Sequence, residues 1–316
     1  MIVRWGLDEL PGMLREVGIE RPFLVASPRW SSLDLPSAAR WDEIPSHRID
    51  VPDGVDGILA VGGGSAIDTA KAASAASGLP IVSVPTTYSG SEWTAFYGVR
   101  DPDKRMVGGG GGAHLAAIVY DSELTLELPR PETAGTALNA LAHAAEALYH
   151  PARSAESDRA AHEGAELING SLPAVLENGR NPGARKTLLM GAARAGEALG
   201  RSGLCLGHAM AQALGGRYGL PHGAMNALCL PPALRFNEPV AAEAITDFGK
   251  SLGTDRPDER VEELARLGGF NRLRDFGVPE DELGDVADAA AVRGGAKANP
   301  RPASPPEIAD LFRSIY

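Results

Sequence analysis

Cysteine is nearly missing from this chain: two in 316 residues, Cys205 and Cys229. Both fall in apolar helical contexts, so a disulfide framework is excluded and the pair reads as buried thiols of a cytoplasmic protein. Aromatic residues are scarce as well, at 5%. A core with so few rings must be built from small side chains and closely packed helices, and Ala and Gly are abundant. No run approaches the roughly 20 apolar residues that span a bilayer. The opening stretch MIVRWGLDELPGML lacks the apolar region of a secretory signal. Positive charge is in deficit, 30 Lys and Arg against 41 Asp and Glu, a net charge of −11. That disfavours nucleic acid or an anionic membrane as a partner, while an anionic substrate can still bind a locally basic site. What is present, 44% hydrophobic and 22% charged residues, is a soluble globular composition of a length that suits one large or two medium domains.

The two parts of the chain differ in rhythm. PFLVAS (22–27), GILAVGG (57–63), PIVSVP (80–85) and LAAIVYD (115–121) are short apolar runs of strand type. Between the second and third lies SAIDTAKAASAASG (65–78), a helical pattern closed by Gly78. Strand, glycine turn, helix and strand make a βαβ unit with parallel strands. After about residue 123 the strand signals stop. Helices are expected near 131–149, 157–176, 184–200, 204–215, 222–235, 239–252, 258–268, 279–291 and 304–314, punctuated by Pro and Gly. GGGGG (108–112) reads as a mobile loop. The expected architecture is an α/β dinucleotide-binding domain with a parallel sheet over 1–122, followed by an all-α substrate and catalytic domain over 123–316. An active-site cleft is expected between the two.

The glycine turn VGGGSAIDTAK (61–71) follows a strand and opens a helix. Without Cβ atoms its backbone N–H groups can approach a phosphate, and the helix N-terminus adds partial positive charge. Ser65 is placed to cap that helix and to donate to phosphate. The turn is neither G-x-G-x-x-G nor a Walker loop. PTTYSGSEWT (85–94) brings Thr86, Thr87, Ser89 and Ser91 to the C-terminal end of the next strand, where open α/β sheets bind ligands. Behind PFLVAS, Ser27 and Arg29 carry no negative charge for a ribose 2′-hydroxyl, so NADPH is as open as NADH. In TALNALAHAAEALYH (136–150), Asn139 and His143 share one helical face. That spacing can hold a metal ion, but a neutral amide is a weak ligand.

GGGSAIDTAK, PTTYSGSE, NALAHAAEALY and HAMAQALGGRYGLPHG, in this order, resemble the iron-containing alcohol dehydrogenase superfamily, which shares its fold with dehydroquinate synthase. Within it the resemblance is greatest to maleylacetate reductases, which share PTTY-small-GSE-x-T, the Asn of the NALAHA helix and an NPRP, here at 299–302. It covers about residues 57–302; the first 56 look shortened, with one helix of the nucleotide domain missing. The resemblance implies cofactor contacts at Gly62, Gly63, Gly64, Ser65, Asp68, Thr86, Thr87 and Ser91. It also implies that His143, His208 and His222 match three histidines that bind iron or zinc in metal-dependent members, with Asn139 at the position of their Asp. Losing that carboxylate weakens a metal site, and in maleylacetate reductases the Asn accompanies metal-free reduction; if a metal is bound, the three histidines hold it. Gln212 and Asn226 stand where relatives carry further histidines, and amides cannot act as general acids. His47, His114, His150 and His162 read as surface or structural residues.

The expected activity is therefore NAD(P)H-dependent, metal-independent reduction of a small carboxylated unsaturated ketone, of the kind met in aromatic-compound breakdown. His143, His208, His222 and Asn139 form the catalytic set, and two or three imidazoles draw in a dicarboxylate. A metal-dependent alcohol dehydrogenase or aldehyde reductase is the alternative, and a recruited non-redox protein using the same cleft is the third. The expected partner is a small-molecule substrate, and the expected assembly a homodimer, with MIVRWG as a strand pairing with its copy.

Overall fold

The computed structural model describes residues 1–46, 48–101 and 106–316; His47 lies outside the described residues. The chain divides into two compact units, Met1–Thr87 with Ser91–Leu126, and Tyr88–Gly90 with Glu127–Tyr316.

In the first unit the apolar runs become strands, joined by turns and a few helices. Its elements are β1 (Ile2–Trp5), α1 (Leu10–Glu16), β2 (Pro22–Ala26), β3 (Ala39–Trp41), β4 (Gly57–Gly62), α2 (Gly64–Ser77), β5 (Pro80–Pro85), β6 (Tyr97–Arg100), β7 (Met106–Gly110) and β8 (His114–Tyr120). One six-stranded sheet runs β1-β8-β5-β4-β2-β3, and every pair in it is parallel. β2 and β4 are buried along their whole length, as strands covered on both faces must be. Successive side chains serve opposite faces. Leu24 and Leu59 pack with Leu10, Met13 and Leu14 of α1, whereas Phe23, Val25 and Ile58 pack with Ile67, Ala70 and Ala73 of α2.

Two expectations change here. The glycine run is no loop: β7 pairs antiparallel with β6. A Cβ on Gly109 would lie 2.8 Å from the Tyr97 carbonyl oxygen, and one on Gly110 2.7 Å from the Tyr97 hydroxyl, so the glycines permit a close strand approach. Ser65 is not the helix cap: Gly63 occupies that position with no side-chain cap, and α2 starts at Gly64. The N-terminal strand forms as expected, at the end of the sheet order, and pairs with β8. Between β2 and β4 the described residues contain no α-helix, in line with the missing helix expected there, but a 3-10 turn at Pro28–Trp30 and the short β3.

A buried acid lies under the end of β8. Tyr120 donates its hydroxyl to Glu92 Oε1 at 2.7 Å, and Trp93 Nε1 donates to that hydroxyl at 2.8 Å. Glu92 is buried, and its Oε2 has no hydrogen-bond partner among the described residues. Burial pushes its carboxyl pKa up, outweighing the Tyr120 hydrogen bond. A carboxyl raised in the folded chain contributes stability below its ordinary value of 4.5, and that contribution is lost as pH rises through the raised value. Glu92→Gln should therefore gain in melting temperature relative to the unsubstituted protein as pH is raised from the acid range to neutrality. A difference that stays constant with pH would contradict this.

The second unit is helical: α3 (Arg130–Tyr149), α4 (Ala155–Glu177), α5 (Pro182–Arg201), α6 (Leu206–Tyr218), α7 (His222–Leu252), α8 (Pro257–Leu267), α9 (Leu283–Ala291), α10 (Gly294–Ala298) and α11 (Pro305–Ser314). The two helices expected over 222–252 join into one, kinked at Ala241 (φ −133°) two residues after Pro239, which has no N–H to continue the ladder. The abundance of small residues shows its purpose where α3 meets α7. A Cβ on Gly223 would lie 2.3 Å from the carbonyl of Gly135, so only glycine lets the helices touch there. That contact seats His222, the neighbouring residue, beside α3.

Candidate active site

Asn139, His143 and Glu146 stand at i, i+4 and i+7 of α3, one stripe of polar groups on an otherwise apolar, buried helix. α6 brings His208 to this stripe, and α7 brings His222 and Asn226. The structure thus assembles the four expected catalytic residues within the second unit. The His143 and His208 rings stack with centroids 4.7 Å apart at 14°, and the His208 and His222 centroids are 6.0 Å apart. Gly90 backs the cluster: at φ +73°, its missing Cβ would sit 3.1 Å from His143 Nδ1. Gln212 lies one turn beyond His208 on α6.

Glu146 is the residue that sequence reasoning missed. It is completely buried. Its Oε2 accepts from His208 Nδ1 at 2.8 Å and from the Cys205 N–H at 2.6 Å, while Oε1 accepts from the His208 N–H at 3.1 Å. The carboxylate therefore caps α6 and fixes the His208 ring, with the proton on Nδ1 and Nε2 left open. His208 Nε2 has no hydrogen-bond partner among the described residues. The available signal was an acid in the middle of an apolar helix, in register with Asn139 and His143.

Asn226 and Asn139 form an amide hub. Asn226 Nδ2 donates to Asn139 Oδ1 at 2.6 Å and faces His222 Nε2 at 3.0 Å. Asn139 Nδ2 donates to the Ser89 carbonyl at 2.9 Å and faces His143 Nε2 at 3.4 Å. An amide nitrogen only donates, so both ring nitrogens accept. Burial, and behind it the neighbouring His208 and His222, hold His143 well below the usual histidine range, so its ring is neutral at working pH.

In this arrangement most of the candidate ligand atoms are already engaged by hydrogen bonds to one another. A tetrahedral site needs several lone pairs aimed at one point. Here the Nε2 lone pairs of His143 and His222 face amide protons, and Asn139 Oδ1 is taken by Asn226. The stacked rings of His143 and His208 hold their lone pairs in nearly parallel planes. Among the described residues, no group of three or more His, Cys, Asp or Glu side chains has metal-holding geometry.

The expected cofactor residues gather in the first unit. Gly62, at φ +150°, has no room for a side chain: its Cβ would lie 2.7 Å from Ala66 Cβ. A Cβ on Gly63 would lie 2.8 Å from Thr87 Cγ2. The first N–H groups of α2, at Gly64 and Ser65, have no acceptor within the helix. Thr87 Oγ1 is buried with no hydrogen-bond partner among the described residues. A Cβ-free turn, open helix donors and an orphaned hydroxyl fit the phosphate of a dinucleotide. Thr86 donates its N–H to the Gly62 carbonyl at 3.0 Å, tying the two walls together. Asp68 and Ser91 meet each other: Ser91 Oγ donates to Asp68 Oδ1 at 2.6 Å. The buried Lys71, also missed, donates to Asp68, Ser91, Thr94 and the Phe96 carbonyl. Desolvation lowers the Lys71 pKa, opposed by Asp68. Of the other histidines, His114 is exposed, His150 accepts from the Ala152 N–H at 3.0 Å, and His162 pairs with Ser251 at 2.8 Å.

A parallel α/β unit with a glycine turn, and a helical unit with a three-histidine cluster, define an oxidoreductase class, and the chain belongs to the iron-containing alcohol dehydrogenase family. The family's sequence pattern matches residues 51–121, and that of its C-terminal part matches residues 133–316. The chain is 32% identical to a maleylacetate reductase of Pseudomonas knackmussii over 98% of its own length and 93% of that protein. It is 36% identical to one of Burkholderia cepacia over 83% and 74%. The crystal structure of maleylacetate reductase from Agrobacterium tumefaciens superposes with a TM-score of 0.87 at 28% identity, covering 100% of this chain and 95% of that one. The protein is an oxidoreductase.

Proposed function

We propose that this protein reduces maleylacetate, or a close unsaturated keto dicarboxylate, with NADH or NADPH and without a metal ion. The similarity to maleylacetate reductases supports the substrate. The observation that carries the metal-free reading is the amide hub, in which Asn139 gives its oxygen to Asn226 and its nitrogen to the Ser89 carbonyl. The cofactor, when bound, supplies hydride to the carbon β to the ketone. Gly62, Gly63, Gly64 and Ser65 receive its phosphates, with Thr86 and Thr87 on the facing wall; Asp68 and Ser91 keep that wall in place. Charge then gathers on the ketone oxygen, and N–H donors in a dry site stabilise it as an enolate. His208 Nε2 is the open imidazole nitrogen; in the protonated ring it hands over the proton that completes the α-carbon, leaving the neutral ring with its remaining proton on Nδ1 toward Glu146. His143 and His222 hold the substrate between them.

The reading extends to a homodimer in the cytoplasm. β1 stands first in the sheet order, leaving one edge for a second copy. Cys205 and Cys229 are buried free thiols whose pKa values burial pushes up, and no helix of the described residues is long and apolar enough to cross a membrane. Purified protein mixed with maleylacetate should oxidise NADH or NADPH, followed by loss of nicotinamide absorbance. A protein that binds neither nucleotide would end this reading.

A further inference from the structure

A dicarboxylate needs a cation, and the imidazoles do not supply one at His143, which burial keeps neutral. The expectation that the histidines draw in the substrate's charge therefore leaves a gap. Arginines of the helical unit are mostly spoken for: Arg153, Arg194, Arg217, Arg235 and Arg301 each meet a carboxylate. Arg293 is different. It is half-buried just after α9, its Nε is fully buried, and that atom has no hydrogen-bond partner among the described residues. Loss of solvent lowers its pKa with no acidic neighbour acting in the other direction. A half-buried cation without an anion is costly to keep, which points to a ligand that supplies the missing charge.

Its position fits that role. Arg293 Nη2 lies 3.3 Å from where a Cβ of Gly216 would stand, so a glycine on α6 makes room for the guanidinium. Gly216 is eight residues beyond His208 on α6, with Gln212 midway. Eight residues are about 12 Å of helix and about 80° of rotation, so the guanidinium lies against the adjoining face of α6, two turns along from the imidazole. Lys297 follows one turn later at the end of α10, and the stretch 289–299 contains no acid. Like charges four apart repel unless an anion lies between them.

We propose that Arg293 is the carboxylate anchor of this site, a specificity-determining residue that grips one carboxylate of a dicarboxylic substrate through its planar guanidinium. This rests on the reductase reading, but binding can be tested apart from turnover. The full chain, loaded with its nicotinamide nucleotide, is titrated calorimetrically with adipate, a dicarboxylate it cannot reduce. Arg293→Gln should weaken adipate binding by about 10- to 100-fold, the loss of one charge-assisted hydrogen-bonded contact. Arg293→Lys should recover part of that loss, nucleotide affinity should stay as in the unsubstituted protein, and the melting temperature of Arg293→Gln should not fall. For maleylacetate the same variant should raise KM by a similar factor with a smaller change in kcat. Unchanged adipate affinity would overturn the proposal. So would lost nucleotide affinity with adipate binding intact, because the anion held would then be a cofactor phosphate. Adipate binding that depends on Arg293, in a protein inactive on maleylacetate, would keep the anchor and remove the proposed substrate.

Discussion

Glu146→Ala should cost about 3–5 kcal/mol of stability and remove nearly all activity. The carboxylate accepts from one ring nitrogen and two backbone N–H groups, all buried. Alanine leaves all three donors without an acceptor, and each such group costs about 1–3 kcal/mol. It also frees the His208 ring, which is held on its Nδ1 side by Glu146. Glu146→Gln has nearly the same shape and keeps one acceptor oxygen, so it should lose less stability. It presents an NH₂ group to donors, so the ring should remain misoriented and kcat low. Thermal unfolding separates the two effects: a well-folded Glu146→Gln protein with full kcat would show that His208 orientation does not matter to the reaction.

The second large effect is expected at Asn139. Asn139→Asp replaces a donor by a carboxylate facing the Ser89 carbonyl, now 2.9 Å from Nδ2. Without metal the substituted chain should be less stable by about 1–3 kcal/mol. The new carboxylate also draws protons or cations to the three imidazoles, and it adds an anionic oxygen ligand beside them. Zn²⁺ should then bind at about one ion per chain and raise the melting temperature, since a ligand that binds only the folded state stabilises it in proportion to the logarithm of its concentration over Kd. The unsubstituted protein should show neither effect. Equal zinc stabilisation of both proteins would mean that the amide hub opens readily and that Asn139 is no barrier to metal.

Much of this was legible in the sequence. Continuous apolar runs ending in glycine gave β4, and the 3.6-residue pattern placed α3 to within a residue of Arg130–Tyr149. Periodicity reads such elements because burial on one or both faces writes itself into consecutive residues. The glycine-rich hairpin escaped because its strands carry their reason in Tyr97, across the pairing, not in local propensity. Ser65 misled for a related cause: a glycine at the helix start met the backbone requirement, so no side-chain cap was needed. At the site, the amide hub joins residues 87 positions apart, Asn139 and Asn226, and Glu146 acts on a residue 62 positions away. Each was visible as a polar residue on a buried helix, but only tertiary packing shows which donor meets which acceptor.

The most direct measurement combines turnover and metal content in one preparation. Protein stripped with a chelator and desalted is assayed with maleylacetate and NADH or NADPH, and the same sample is analysed for metal by plasma mass spectrometry. The expected result is full activity with far less than one metal per chain. Activity that disappears on stripping and returns with Zn²⁺ or Fe²⁺, at about one ion per chain, would contradict the metal-free site.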